Sequence, residues 1–438
     1  MAGGTWVTQN KVRPGTYINF VGQGTPVGAV GERGIMTMAL SLDWGPSKQI
    51  LSITNGEDVS ALLGYDITSS QMLLLREAFK RARTVLLYRL NNGTKAAVTS
   101  GNLTATAKHG GLRGNDLTVV IQTNVDDNDK FDVKTLLAGV EKNIQTVSSI
   151  AGLVSNDWIV FSGTGTLAAT AGAPLVGGAD GTITNADHID YMAAVELQDF
   201  NTVAYPGTAN DLKALYAAFI KRLRDVEGKK VQFVTENYAS ANHEGVISVK
   251  NGVKLSDGTS LTAAQASVWV AAATAAAQMS QSLTYDAYDD AVDVGTRYTN
   301  AQIEAAIIAG EFLFTPNQGK TKVEVDLNTF TGYTPDKGKP FSKNRVIRVL
   351  DGIANDFKKI FDLYYGGKID NNADGRDLLW NEYITYLKTL EGLNALQNVN
   401  SATDVKIIQG TDADSVYVEV AVQPVDSIEK VYMKVSVS

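Results

Sequence analysis

The sequence contains no cysteine in 438 residues. That excludes thiol nucleophiles, disulfide scaffolds and cysteine-ligated zinc in one step, and it fits assembly in a reducing cytoplasm. Histidine is nearly as scarce: His109, His188 and His243 are the full set, which limits the supply of general bases and metal ligands. No HExxH motif occurs, and no basic block or basic-aromatic platform for nucleic acid. The net charge of −8 opposes wrapping around a phosphate backbone, so no nucleic-acid partner is expected. Long apolar runs are missing too. The most apolar helical stretch, AAQASVWVAAATAAAQM at 263–279, is alanine-dominated and interrupted by Gln265, Ser267, Thr274 and Gln278. A membrane span needs about 20 strongly apolar residues, so this is expected to be a buried helix, with no direct membrane insertion. The start, MAGGTWVTQNKV, lacks a basic region followed by an apolar run, so no secretory signal is expected.

What is present is globular. Hydrophobic residues make up 44% and charged residues 20%, and the length predicts roughly two to four domains. RPGTYINFVGQG, 13–24, predicts a strand with two largely apolar faces, flanked by Pro14-Gly15 and by Gly22, Gly24 and Gly28. Helical spacing over 69–82 is followed by a strand at 84–90, an α/β signature. From 94 to about 182 the chain becomes rich in Gly, Thr, Val and Asn, with short strands between turns, which predicts an inserted β-sandwich. Helix and strand then alternate again. A helix begins near 185 with Asn185 as expected N-cap, another spans TANDLKALYAAFIKRLRDVEG and is ended by Gly228, and further helices are predicted over 263–279 and 299–314. This alternation predicts a mainly parallel sheet with helix cover. Two long helices and three strands complete the chain. In the last two strands Val416, Val418 and Val420 alternate with Tyr417 and Glu419, and Val431, Met433 and Val435 with Tyr432 and Lys434.

Each motif with catalytic promise lacks a partner. GKT at 319–321 has Phe314 where a phosphate loop needs glycine, and Pro316 inside. GQGTPVG at 22–28 is one residue too long for a dinucleotide fingerprint and carries Pro26. DNNADG at 370–375 matches the first half of a calcium loop, but Asn381 stands where the bidentate carboxylate belongs, with Glu382 one place late. DGTSLTAAQAS, with Ser260, resembles a subtilisin nucleophile segment, yet no histidine lies in a matching context. No catalytic, metal or cofactor residue is assigned, and no enzyme activity is expected.

Four segments in order, RPGTYINF, GLRGNDLTVVI, KIDNNADGRDLLWNEYITYL and SIEKVYMKVSV, resemble the tail sheath proteins of contractile-tailed bacteriophages. The likeness is to the short forms in phages, prophages and phage-like particles of Gram-positive bacteria, and it spans the chain. It implies an α/β multidomain fold: a subtilisin-like α/β domain without protease chemistry, an inserted β-sandwich, an α+β C-terminal domain, and N- and C-terminal β arms. Boundaries are expected at 1–28 for the arm and linker, 29–93 for an N-terminal α/β segment, 94–182 for the sandwich, 183–333 for the subtilisin-like part and 334–438 for the C-terminal domain. The resemblance further implies a homo-oligomeric helical sheath of stacked rings around a tail tube protein, with baseplate and tail terminator proteins as partners. It places the chain in the virion tail, assembled in the host bacterial cytoplasm.

On that view the intersubunit strands carry Thr16, Tyr17, Ile18, Phe20, Val416, Val418, Val420, Val431, Met433 and Val435. Gly22 and Gly24 are the expected hinge, and Arg376, Glu382, Lys388 and Glu391 on a helix over 376–397 the expected tube-facing residues. Two other readings compete. One is a divergent hydrolase using Ser260. The other is a surface-layer or adhesive protein, which should carry an export signal.

Overall fold

The computed structural model describes the backbone of 2–4 and 15–17 and all of residues 31–437. These fall into two compact units, one of Glu32–Gly352 with Asp426–Ser438, the other built on Ile353–Val425.

A seven-stranded sheet organises the first unit. Its strands in chain order are β1 (Ile35–Leu40), β2 (Ile50–Thr54), β3 (Thr84–Arg89), β4 (Thr202–Tyr205), β5 (Gln232–Glu236), β6 (Val246–Val249) and β7 (Glu311–Phe312). In space they run β7-β6-β5-β4-β1-β3-β2, all neighbours parallel except β2, which pairs antiparallel at the edge. Strand alternation sends Val203, Phe233 and Leu86 to one face and Ala204, Val234 and Leu87 to the other, each into its own core. Two helices, Asn185–Glu196 and Asn210–Asp225, supply Tyr191, Val195, Tyr216 and Ile220 to the first face. On the second face lies helix Ala263–Ala276, in which only Gln265 and Ala276 escape full burial. Its alanines permit close approach: Thr202 Oγ1 reaches the Ala271 carbonyl at 2.9 Å. Burial from the sheet, not from a membrane, explains its apolar character. Among the described residues no helix is long and apolar enough to cross one.

The inserted sandwich packs a sheet ordered 140–147, 131–137, 117–123, 170–174 against one ordered 159–163, 103–107, 97–100, all antiparallel. Inward residues such as Leu103, Ala105, Val119 and Ile121 join Trp44, which stacks on Trp158 at 5.5 Å. At the neck the backbones of Gly93 and Gly110 meet so closely that a Cβ on Gly110 would fall 1.9 Å from the Gly93 oxygen.

In the second unit, helix Ala373–Gly392 packs on strand β8 (Val405–Gln409), which pairs antiparallel with β9 (Val416–Val420). Phe357 stacks on Tyr383 at 3.9 Å, and the Tyr386 hydroxyl donates to Asp356 at 2.6 Å. Asp356 also accepts the Gly31 N–H at 3.0 Å.

Several expectations need correction. Thr184, not Asn185, caps the helix at 185, through a reciprocal box with Asp187. The helix expected over 299–314 stops at Ile308, because Gly310 turns left-handed (φ +77°) and Glu311–Phe312 joins the sheet. The helix expected over 376–397 ends at Gly392. The strand expected over 430–437 is not formed: residues 425–437 are irregular, and among the described residues no strand lies beside them to make a ladder.

Candidate functional site

Ser260 is exposed in the two-residue strand Ser260–Leu261, and Thr262 behind it caps the helix by accepting the Gln265 N–H at 3.2 Å. The three imidazoles have partners elsewhere. His188 Nδ1 lies 2.9 Å from the Tyr216 hydroxyl, His109 packs edge-on against Trp44, and His243 Nδ1 accepts the Gly245 N–H at 3.0 Å. Among the described residues Ser260 thus has no base in hydrogen-bond contact. Asp225, His243 and Glu244 place one ligand atom each within 4.8 Å of one another. A neutral His243 that accepts at Nδ1 carries its proton on Nε2, the atom that would have to ligate. Lys337 also bonds Glu244 at 2.7 Å. Burial works against the Glu244 charge, but Lys337, the Glu244 backbone N–H and His243 together hold the carboxyl down at about 2. Both features suit an internal ion pair better than a cation site. In the calcium-like loop, Asn372 caps the following helix by accepting the Gly375 N–H at 2.8 Å, and Asn371 donates to the Ala413 and Ser415 carbonyls. Both asparagine side chains are thereby spent on the backbone.

The unusual chemistry lies in unsatisfied strand surface. The β8–β9 sheet has two strands, so among the described residues each has an outer edge without a ladder. Val416, Val418 and Val420 are half-buried, while Tyr417 and Ile408 are exposed. Residues 428–437 display Ile428, Val431, Tyr432, Met433, Val435 and Val437, with Tyr432 91% and Val437 94% exposed. Apolar display on this scale marks an interaction surface. At the other terminus, Gly15–Tyr17 pairs parallel with Ala2–Gly4, setting Thr16 opposite Gly3 and Tyr17 opposite Gly4. Ile18, Phe20, Gly22 and Gly24 lie outside the described residues.

Comparison with known proteins decides what kind of chain this is. Residues 33–90 match the tail sheath protein Gp18 domain III N-terminal region, 91–180 the phage tail sheath protein beta-sandwich domain, 181–329 the phage tail sheath protein central domain, and 336–438 the phage tail sheath C-terminal domain. The chain belongs to the phage tail sheath protein family. It is 38% identical to the phage-like element PBSX protein XkdK of Bacillus subtilis, over 100% of both chains. A sheath tail protein of Desulfitobacterium hafniense is 59% identical, with a TM-score of 0.88 over 96% of this chain and 99% of that one. The contracted helical sheath of the anti-feeding prophage shares the fold, with a TM-score of 0.58 at 13% identity over 97% and 99%. All four family models describe domains of a structural tail sheath protein. This chain is accordingly a structural tail sheath subunit, mixed α/β with an inserted β-sandwich, whose place is the tail of a phage or phage-like particle.

The residues expected to face the tube are not gathered into one patch. Arg376, near the helix start, donates to Asn371 Oδ1 at 3.0 Å. Lys388, near its end, donates to Glu391 at 3.0 Å and to the Val399 carbonyl, and Glu391 accepts the Val399 N–H at 2.8 Å. Glu382 is half-buried between them. The strand at 405–409 is among the three expected late strands, and the structure pairs Val405 and Ile407 with Val420 and Val418.

Proposed function

We propose that the chain polymerises helically around a tail tube through exchange of β-strands between neighbouring copies, and that the sheath so formed contracts to drive the tube through a target envelope. The observation that carries this is the arm at 430–437, with strand alternation and exposed apolar side chains but no ladder of its own. Such a segment suits an open sheet edge in another copy. The unpaired edges of β8–β9 are edges of that kind. Each ladder bond contributes about 0.5–1.5 kcal/mol, and each large side chain buried about 1.5–3 kcal/mol. Ordering the arm offsets part of this. A contact from one patch to a different patch does not close on itself, so it builds a helix of copies.

In this reading Thr16, Tyr17, Ile18 and Phe20 with Val416, Val418, Val420, Val431, Met433 and Val435 form the mesh. Gly22 and Gly24 let bodies rotate while strands stay paired. Domain boundaries follow at 28, 93, 182 and 333. The central α/β part is a subtilisin-like scaffold without its chemistry, a reading supported by the parallel sheet and by Ser260 ahead of an alanine-rich helix. Tube, baseplate and terminator proteins are the partners, and assembly takes place in the host cytoplasm. The test is electron microscopy of the purified full chain beside one lacking residues 1–22. The full chain should give long striated tubes and the truncation a folded monomer. Tubes of normal length from the truncation would sink the proposal.

A further inference from the structure

The C-terminal arm has a built foothold. Glu429 keeps only 13% of its side chain exposed, although Ile428 and Lys430 on either side are exposed. Its Oε2 accepts from Lys343 Nζ. Its Oε1 accepts from Thr284 Oγ1 at 2.8 Å and from Ser427 Oγ at 3.3 Å. The Thr284 oxygen in turn accepts the Asp326 N–H at 3.0 Å. Asp326 is buried, and its carboxylate takes the Leu283 N–H at 3.0 Å, Asn344 Nδ2 at 2.9 Å and Arg348 Nη2 at 3.3 Å. Lys343 is fixed from below by its own N–H, which donates to the Pro340 carbonyl at 3.1 Å. The foothold is therefore mounted on a buried polar network, not on loose surface chain.

We infer that Glu429 is the positioning residue from which the arm leaves the α/β unit, its ion pair with Lys343 fixing where the arm starts on its way to a second copy. This rests on the strand-exchange reading above. The chemistry fits the task. A carboxylate offers two acceptor oxygens, and here one faces an ammonium and the other a hydroxyl that is itself oriented by a backbone N–H. Release of Glu429 moves the preceding fixed point back to Val425, whose N–H donates to the Ala395 carbonyl at 3.0 Å. The free segment then begins at Asp426 instead of Lys430. A longer tether dilutes the arm around its acceptor edge and costs more to order.

The test uses the full chain carrying Glu429→Gln, and the exchanged pair Lys343→Glu with Glu429→Lys. Trypsin needs several extended residues on both sides of its bond, so the clamp shields the bond after Lys430 more than the one after Lys434. In dispersed monomer, Glu429→Gln should speed cleavage after Lys430 about tenfold, with cleavage after Lys434 and the melting midpoint unchanged. The exchanged pair should restore protection. Tube yield should fall about tenfold in Glu429→Gln and recover in the exchanged pair. Wild-type cleavage after Lys430 in Glu429→Gln overturns the clamp. Faster cleavage with undiminished tubes overturns its role in assembly. Tubes from a chain lacking residues 430–438 defeat the strand-exchange reading itself, leaving the cleavage result standing.

Discussion

Strand β6, Val246–Val249, and the arm segment Val431–Val437 are both valine-rich and both built to lie in a sheet. Every residue of β6 is buried, with β5 on one side and β7 on the other. Among the described residues the arm has no strand beside it, and all of residues 431–437 are exposed. Composition therefore gives each segment the capacity to pair, and topology decides whether one chain can satisfy it. A monomer that buries one such strand and displays the other has divided its apolar residues between folding and assembly.

Mutation can separate these two uses. Trp269 sits in the α/β core, stacked on Tyr288 at 4.3 Å, with its Nε1 donating to Asp289 at 2.8 Å. Trp269→Ala should lose about 3–5 kcal/mol in urea denaturation. Tyr432→Ala should change monomer stability by less than about 0.5 kcal/mol and yet prevent tube formation. A loss above about 1 kcal/mol in Tyr432→Ala would mean that the arm packs on its own chain, and the contrast would collapse.

The same contrast explains what was legible in the sequence. Within the α/β unit, periodicity and neighbours agree, so the helix at 210–225 and the strands at 84–89, 202–205 and 232–236 could be read from local pattern. The error over 299–314 arose where alanine and isoleucine promised a helix but Gly310 ended it. The calcium-like loop looked chemical because Asn and Asp serve turns and metals alike. For the arm, alternation showed a strand, while the described residues hold no strand beside it. Glu429 was illegible for a different reason. Thr284 is 145 residues away and Lys343 is 86, so only the folded chain brings them together.

Acid should act on the folded unit and spare the arm, whose exposed residues 431–437 contain no carboxylate side chain. Burial lowers all three imidazoles, His109 from 6.5 to about 4. The Lys48 contact holds Asp187 down at about 2, and Glu244 is likewise held at about 2. A group whose pKa falls on folding stabilises the fold above its unfolded value and loses that contribution as pH drops toward its folded value. Monomer stability should therefore decline gently from about pH 6.5, as unfolded histidines take up protons, and more steeply from about pH 4.5 toward 2 as the carboxylates follow. His109→Gln should remove part of the gentle phase. A stability curve flat from pH 7 to 5 would show that the buried imidazoles carry none of it.

The smallest effect on folding is expected at Lys388, where internal and external roles compete for one ammonium. Its bonds to Glu391 and the Val399 carbonyl tie down the turn after the helix, but the side chain is 46% exposed, and exposed pairs of this spacing contribute little to folding. If tying the turn is its whole task, Lys388→Glu leaves both the melting midpoint and sheath-on-tube assembly as they were. If the ammonium also meets an acidic group on the tube, reversal leaves the midpoint within error and abolishes co-sedimentation with tubes, more completely at low salt than at high. We expect the second result. The salt series matters because a repelled contact recovers as salt screens it, whereas a Lys388 that only ties the turn leaves co-sedimentation unchanged at every ionic strength.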